Sequence, residues 1–169
     1  MAKQTTSRPT RRQLSLLVPE ARRSVIEPIR QRLDPIQHSL IPAHVTLCRD
    51  GELPDLRILK KRLEHLTDFS FTMTFGEPSE LPDGCVLLRP TNGEDQYQEL
   101  RQSILGPEAS RHGAHITLLH PRNATGAIPN LASIGRELSG LSITFNTIAL
   151  IEQRGCDPWQ VKNEYQSAR

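Results

Sequence analysis

Sliding this sequence along itself by 71 positions lays Leu16 and Leu17 over Leu87 and Leu88, and Pro19 over Pro90. The same shift puts Ile29-Arg30-Gln31 over Leu100-Arg101-Gln102, and "PAHVTLC" from Pro42 over "GAHITLL" from Gly113. Farther on the register drifts slightly. "FSFTM" at 69–73 meets "LSITF" at 141–145, and "LPDL" from Leu53 meets "IPNL" from Ile128. One offset carrying an apolar run, an amphipathic run and a motif together marks an internal duplication. The halves run over about 13–80 and 85–152. Whatever this chain folds into must accommodate two copies of one supersecondary unit.

Within each half the elements come in the same order. "QLSLLVP" and "GCVLLRP" are short apolar runs stopped by proline and read as strands. "EARRSVIEPIRQRL" and "EDQYQELRQSIL" place apolar residues three and four apart and read as amphipathic helices. Pro28 inside the first predicts a kink or a shortened first turn. The histidine motifs follow as strands, then helices around "DLRILKKRLEHL" and "NLASIGRELSGL". The strands "FSFTMTF" and "LSITFNTIALIEQ" close the halves, and "DPWQVKNEYQ" alternates as one more strand. Strand, helix, strand, helix, strand, written twice, predicts an α+β fold. It is expected to be bilobal, with two β-sheet lobes related by a pseudo-twofold, helices outside and a central cleft. One domain spans 13–165, with tails at 1–12 and 166–169.

A strand sends residues i and i+2 to one face, about 7 Å apart. His44 and Thr46 therefore face away from Val45 and Leu47, and His115 and Thr117 away from Ile116 and Leu118. A twofold would set the strands side by side and line the cleft with two imidazoles and two hydroxyls. Such a cleft suits phosphoester cleavage. A neutral imidazole takes a proton from the attacking oxygen, and a protonated one gives a proton to the departing oxygen. The hydroxyls hold the non-bridging oxygens. No metal or other cofactor is called for.

Two HxTx motifs, one per half, resemble the signature of the two-histidine phosphoesterase superfamily. "HITLLHPRN" in particular is similar to the bacterial 2'-5' RNA ligase-like branch. The resemblance extends from about Gln13 to Ile151. It implies metal-independent action on 2',3'-cyclic phosphates or 2'-5' linkages of RNA ends or nucleotides. It also implies His44 and His115 as the catalytic pair and Thr46 and Thr117 as phosphate ligands. Hydrolysis, ligation in the reverse direction, and a binding module without turnover all fit the same cleft.

Arg122 in "HPRN" is a candidate phosphate cation or an exposed loop arginine. Trp159 and Tyr97 either stack on a base or cover a lobe. His120 reads as a strand-end residue, His112 as part of an exposed turn, and His38 and His65 as helix-end residues. A metal site from His44, His115 and one of these is an alternative, although neither HxH, HExxH nor a carboxylate pair adjoins either motif. Cys48, Cys85 and Cys156 are odd in number and scattered, as expected of reduced thiols. With a basic, polar start and no apolar run near 18 residues, the chain reads as a cytoplasmic monomer away from membranes. The net charge of +2 permits a phosphate ligand without demanding one.

Overall fold

Both long helices form where the apolar spacing places them: α1 over Glu20–Leu33 and α4 over Glu94–Leu105. The computed structural model describes residues 8–127 and 129–168. α1 runs through Pro28 without a shortened first turn. Pro28 and Ser24 are both exposed, so the carbonyl that loses its helical partner faces water. A short helix that periodicity does not announce, α2 over Pro35–Leu40, follows at once. Asp34 caps it by accepting from Gln37 N–H, and Pro35 stands at its first position. α3 (Leu56–Glu64) and α5 (Leu131–Glu137) are capped by Asp55 and Asn130, the matching letters of "LPDL" and "IPNL".

β1 covers Thr10–Leu17, so it begins before the expected start at 13. Arg11 and Arg12, read as tail, pair across to Gln153 and Glu152 of β9 (Thr147–Arg154). The Arg12 guanidinium lies 2.9 Å from the Glu152 carboxylate, so charge complementarity extends the strand where apolar character ends. Residues 1–7 of the predicted tail lie outside the described residues. The remaining strands are β2 (His44–Cys48), β3 (Phe71–Phe75), β4 (Ser79–Glu80), β5 (Val86–Leu88), β6 (Pro90–Asn92), β7 (Ile116–Leu119), β8 (Ser142–Phe145) and β10 (Gln160–Gln166). The run expected as one strand at 141–153 is two, broken at Asn146, where the chain passes from one sheet to the other.

Seven strands form one sheet in the order β10-β9-β1-β2-β7-β5-β4, and three form a second, β6-β3-β8. The sheets are not divided one per half; each takes strands from both. In the large sheet β2 and β7 are antiparallel neighbours with Val45 opposite Ile116, its own counterpart in the duplication. In the small sheet Thr72 stands opposite Thr144, again counterparts, with hydroxyls 2.8 Å apart. In each sheet the local twofold of the antiparallel pair therefore passes between corresponding residues of the two halves. The symmetry is imperfect: Leu16 pairs with Val45, but Leu88 rather than Leu87 pairs with Ile116.

Leu, Ile and Val dominate a continuous core that takes in Leu14 and Leu16 of β1, Val45 and Leu47 of β2, and Ile116 and Leu118 of β7. A small second cluster, Ile41, Ala149 and Ile151 with Leu17 and Trp159, packs separately. Gly93, at φ 92°, lets α4 start tight against β3; a Cβ there would come within 2.5 Å of the Thr72 carbonyl. All three cysteines are free, Cys48 and Cys85 buried and Cys156 exposed. Among the described residues no helix is long and apolar enough to cross a membrane.

Candidate active site

The alternation of β2 and β7 turns Val45, Leu47, Ile116 and Leu118 into the core and leaves His44, Thr46 and Thr117 partly open on the other side. His115, immediately before β7, is likewise partly open. Continuing the register from the Val45–Ile116 pair sets His44 across from Thr117, and Thr46 across from His115. In that register the four residues form a quadrilateral with the two histidines on one diagonal, an arrangement in which diagonal neighbours of an antiparallel pair are roughly 7–8 Å apart.

Each ring is held from behind. His44 Nδ1 lies 2.8 Å from the Pro42 carbonyl, and His115 Nδ1 3.0 Å from the Gly113 carbonyl. A carbonyl only accepts, so Nδ1 carries the proton and Nε2 is the basic nitrogen of each neutral ring. Burial pushes His44 down to about 4, with Arg30 and His115 adding to the shift while the Pro42 bond and Glu27 oppose it. His115 is also lowered, first by burial, then by Arg89 and Arg49, against the Gly113 bond and Glu94.

His44, His115, Thr46, Thr117 and Arg122, the five residues singled out in the sequence, all line one cavity of about 210 Å³. Gln13, Arg11, Arg30, Gln37, Ile41, His120 and Trp159 complete it. Among these described residues there are three arginines and three histidines and no carboxylate, a lining matched to an anion. A wider groove of about 560 Å³ between α1, α2 and Pro158–Trp159 adjoins it and shares Ile41 and Trp159. His38 is the one histidine on the described lining of that groove, 3.6 Å from Glu27, so the paired chemistry belongs to the smaller cavity.

Two cavity residues escape a reading by motif. His120 does more than end a strand: the chain turns at Pro121, and His120 Nδ1 accepts from Arg122 N–H at 3.2 Å while its ring lines the cavity. Burial lowers its pKa, and neighbouring Arg122 lowers it further. Arg30 follows Ile26 and Ile29 on the buried face of α1, and that core-facing position in an amphipathic helix was the signal available. Tyr97, by contrast, is buried beneath β2 and donates to the Thr46 carbonyl at 2.8 Å, so it presents no face to a base. His112 bonds Glu52 at 2.9 Å, and His65 caps α3 with Nδ1 donating to Lys61. Trp159 is half-buried with the Arg11 guanidinium carbon 5.5 Å from its ring centre. Among the described residues no group of three or more His, Cys, Asp or Glu is arranged to hold a metal ion.

No protein-family model matches the chain, and no curated protein matches its sequence. Solved structures do match. Escherichia coli LigT complexed with ATP superposes with a TM-score of 0.67 at 18% identity, covering 95% of this chain and 99% of that one. LigT complexed with 3'-AMP gives 0.66, also at 18% identity over 95% and 99%. A protein described as a phosphoesterase gives 0.56 at 18% identity, over 95% and 100%. The chain has the α+β fold of LigT over nearly its whole length.

Proposed function

We propose that this chain is a two-histidine phosphoesterase that opens 2',3'-cyclic phosphates or 2'-5' phosphodiester linkages of RNA ends or nucleotides without a metal. The observation that carries the reading is the facing pair of HxTx strands, counterpart against counterpart, in a cavity whose described lining is cationic and without acidic residues. The LigT complexes with ATP and 3'-AMP lend support, because a protein of the same fold holds nucleotides. His44, the ring that burial keeps neutral, takes a proton from the attacking water as oxygen bonds to phosphorus. The P–O bond to the leaving ribose oxygen breaks, and that oxygen receives the proton from His115. Thr46, Thr117 and Arg122 donate to the non-bridging oxygens as charge grows on them. With a ribose hydroxyl in place of water, the same groups run the step toward ligation.

The test is incubation with 2',3'-cyclic nucleotides and 2'-5' dinucleotides in excess chelator, with His44→Ala and His115→Ala alongside. The expected result is a monophosphate product that persists in chelator and disappears in both variants. Nucleotide affinity without product would make the chain a binding module, and loss of turnover in chelator would reinstate a metal.

A further inference from the structure

The peptide unit ahead of each cleft histidine is hydrogen-bonded at both ends. In the first half, the Pro42 carbonyl accepts from His44 Nδ1–H, and the N–H of the same unit, on Ala43, donates to Glu27 Oε1 at 2.6 Å. In the second half, the Gly113 carbonyl accepts from His115 Nδ1–H, and the Ala114 N–H donates to both Glu94 oxygens, at 3.1 and 3.3 Å. Carboxylate, amide and imidazole thus form one chain of hydrogen bonds, twice over. Such chains polarise one another, so negative charge at one end favours the proton at the other.

The two carboxylates do not occupy matching positions. The counterpart of Glu27 is Gln98, one helical turn beyond Glu94. Gln98 instead donates to Glu94 Oε1 at 2.7 Å and to the His112 carbonyl at 2.5 Å. The contact recurs although the residue supplying it does not. Counter-charge also differs. Arg30 donates to Glu27 Oε2 at 2.7 Å, whereas Glu94 is held by the neutral Gln98 amide.

We propose that Glu27 and Glu94 are positioning residues acting on His44 and His115 through one peptide unit each, and that Glu94, which unlike Glu27 has no guanidinium hydrogen-bonded to it among the described residues, makes His115 the ring that holds the proton. A carboxylate touching a catalytic imidazole fixes tautomer and steadies the cation; here an amide is interposed. The assignment of His115 as proton donor rests on the phosphoesterase reading, whereas the hydrogen-bonded chain does not. Other charges facing the rings are Arg30 at His44 and Arg49 and Arg89 at His115. Arg11, His120 and Arg122 share the cavity. The arginines keep their charge across the measured range, and His120 is separated by its own resonances.

The experiment is long-range 1H–15N imidazole spectroscopy of the substrate-free protein against pH, with Glu27→Gln and Glu94→Gln. Glutamine can still accept from the alanine N–H but carries no charge. Both rings of the unsubstituted protein should show the Nδ1–H tautomer, with His115 titrating above His44. Glu94→Gln should lower the His115 midpoint by about half a pH unit or more, and Glu27→Gln should lower that of His44. The alkaline limb of kcat/KM should move down with His115 in Glu94→Gln. An Nε2–H tautomer in either unsubstituted ring, which needs no variant to fold, overturns the proposal. So does a His115 titration unchanged by Glu94→Gln, and His44 titrating above His115 overturns the donor assignment. If the titrations behave as expected and no cyclic phosphate is turned over, the hydrogen-bonded chain stands and the reaction falls.

Discussion

Arg30 and Arg101 are counterparts in the duplication, both almost fully buried, and they have been put to different uses. Arg30 pairs with Glu27, donates to the Ile41 carbonyl at 2.9 Å and lines the cavity beside His44. Arg101 lies beneath the motif strand, donating to the Leu47 and Ser110 carbonyls and pairing with Glu52 at 2.7 Å. Burial pushes the Glu52 carboxyl up, but its bonds to Arg101 and to the Arg49 N–H prevail and hold it down to about 2. The two halves therefore place corresponding arginines on corresponding helices and surround them with different partners. One half carries a guanidinium in the site. The other carries it in the scaffold.

If His44 and His115 act as the proposed pair, turnover should depend on both alike despite the different charges around them. His44→Ala and His115→Ala should each lower kcat/KM by about a thousandfold or more, and the double variant should be scarcely worse. A single variant that retains activity would break the equivalence of the halves. The arginines should separate. Arg101→Met takes the guanidinium from the Glu52 carboxylate and from two carbonyls, leaving Glu52 only His112 and the Arg49 N–H, and should cost about 3 kcal/mol in urea unfolding, while the pH profile of the folded fraction keeps its acid limb. Arg30→Met should move that limb instead.

The limb has a definite sign. A base must be neutral to act, so activity falls as pH drops through the His44 value near 4. Removing the guanidinium that depresses His44 raises its pKa and should carry the acid limb up by about one pH unit. A limb that stays in place in Arg30→Met would return Arg30 to the scaffold with Arg101. The smallest effects belong to the hydroxyls. Thr46→Val and Thr117→Val should each cost about fivefold to tenfold in kcat/KM, nearly equally, if each hydroxyl is one donor to the phosphate as proposed. Unequal losses would show that the phosphate sits off the twofold.

Much of this molecule could be read from local pattern. α1 and α4 stand where apolar spacing put them, and His44 and Thr46 share a face because a strand alternates. His115, Thr117 and Arg122 reach the same cavity as His44 and Thr46. Other features were not visible because their causes are not local. β1 reaches back to Thr10 because β9 supplies Glu152 for Arg12. The run 141–153 divides at Asn146 because its two parts belong to different sheets. Tyr97 lies under Thr46 rather than against a base because α4 of one half packs beneath β2 of the other.

Taken alone, the letters determined that there are two copies of one unit and that each copy offers an imidazole and a hydroxyl on one face of a strand. Periodicity and repetition suffice for that, since both are properties of the chain in order. Only the tertiary structure decided that Val45 meets Ile116, that both sheets are shared between the halves, and that one buried arginine faces the cavity while its counterpart does not. Those are relations between residues far apart in the chain, settled by which edges pair and which charges find partners when the two copies close on each other.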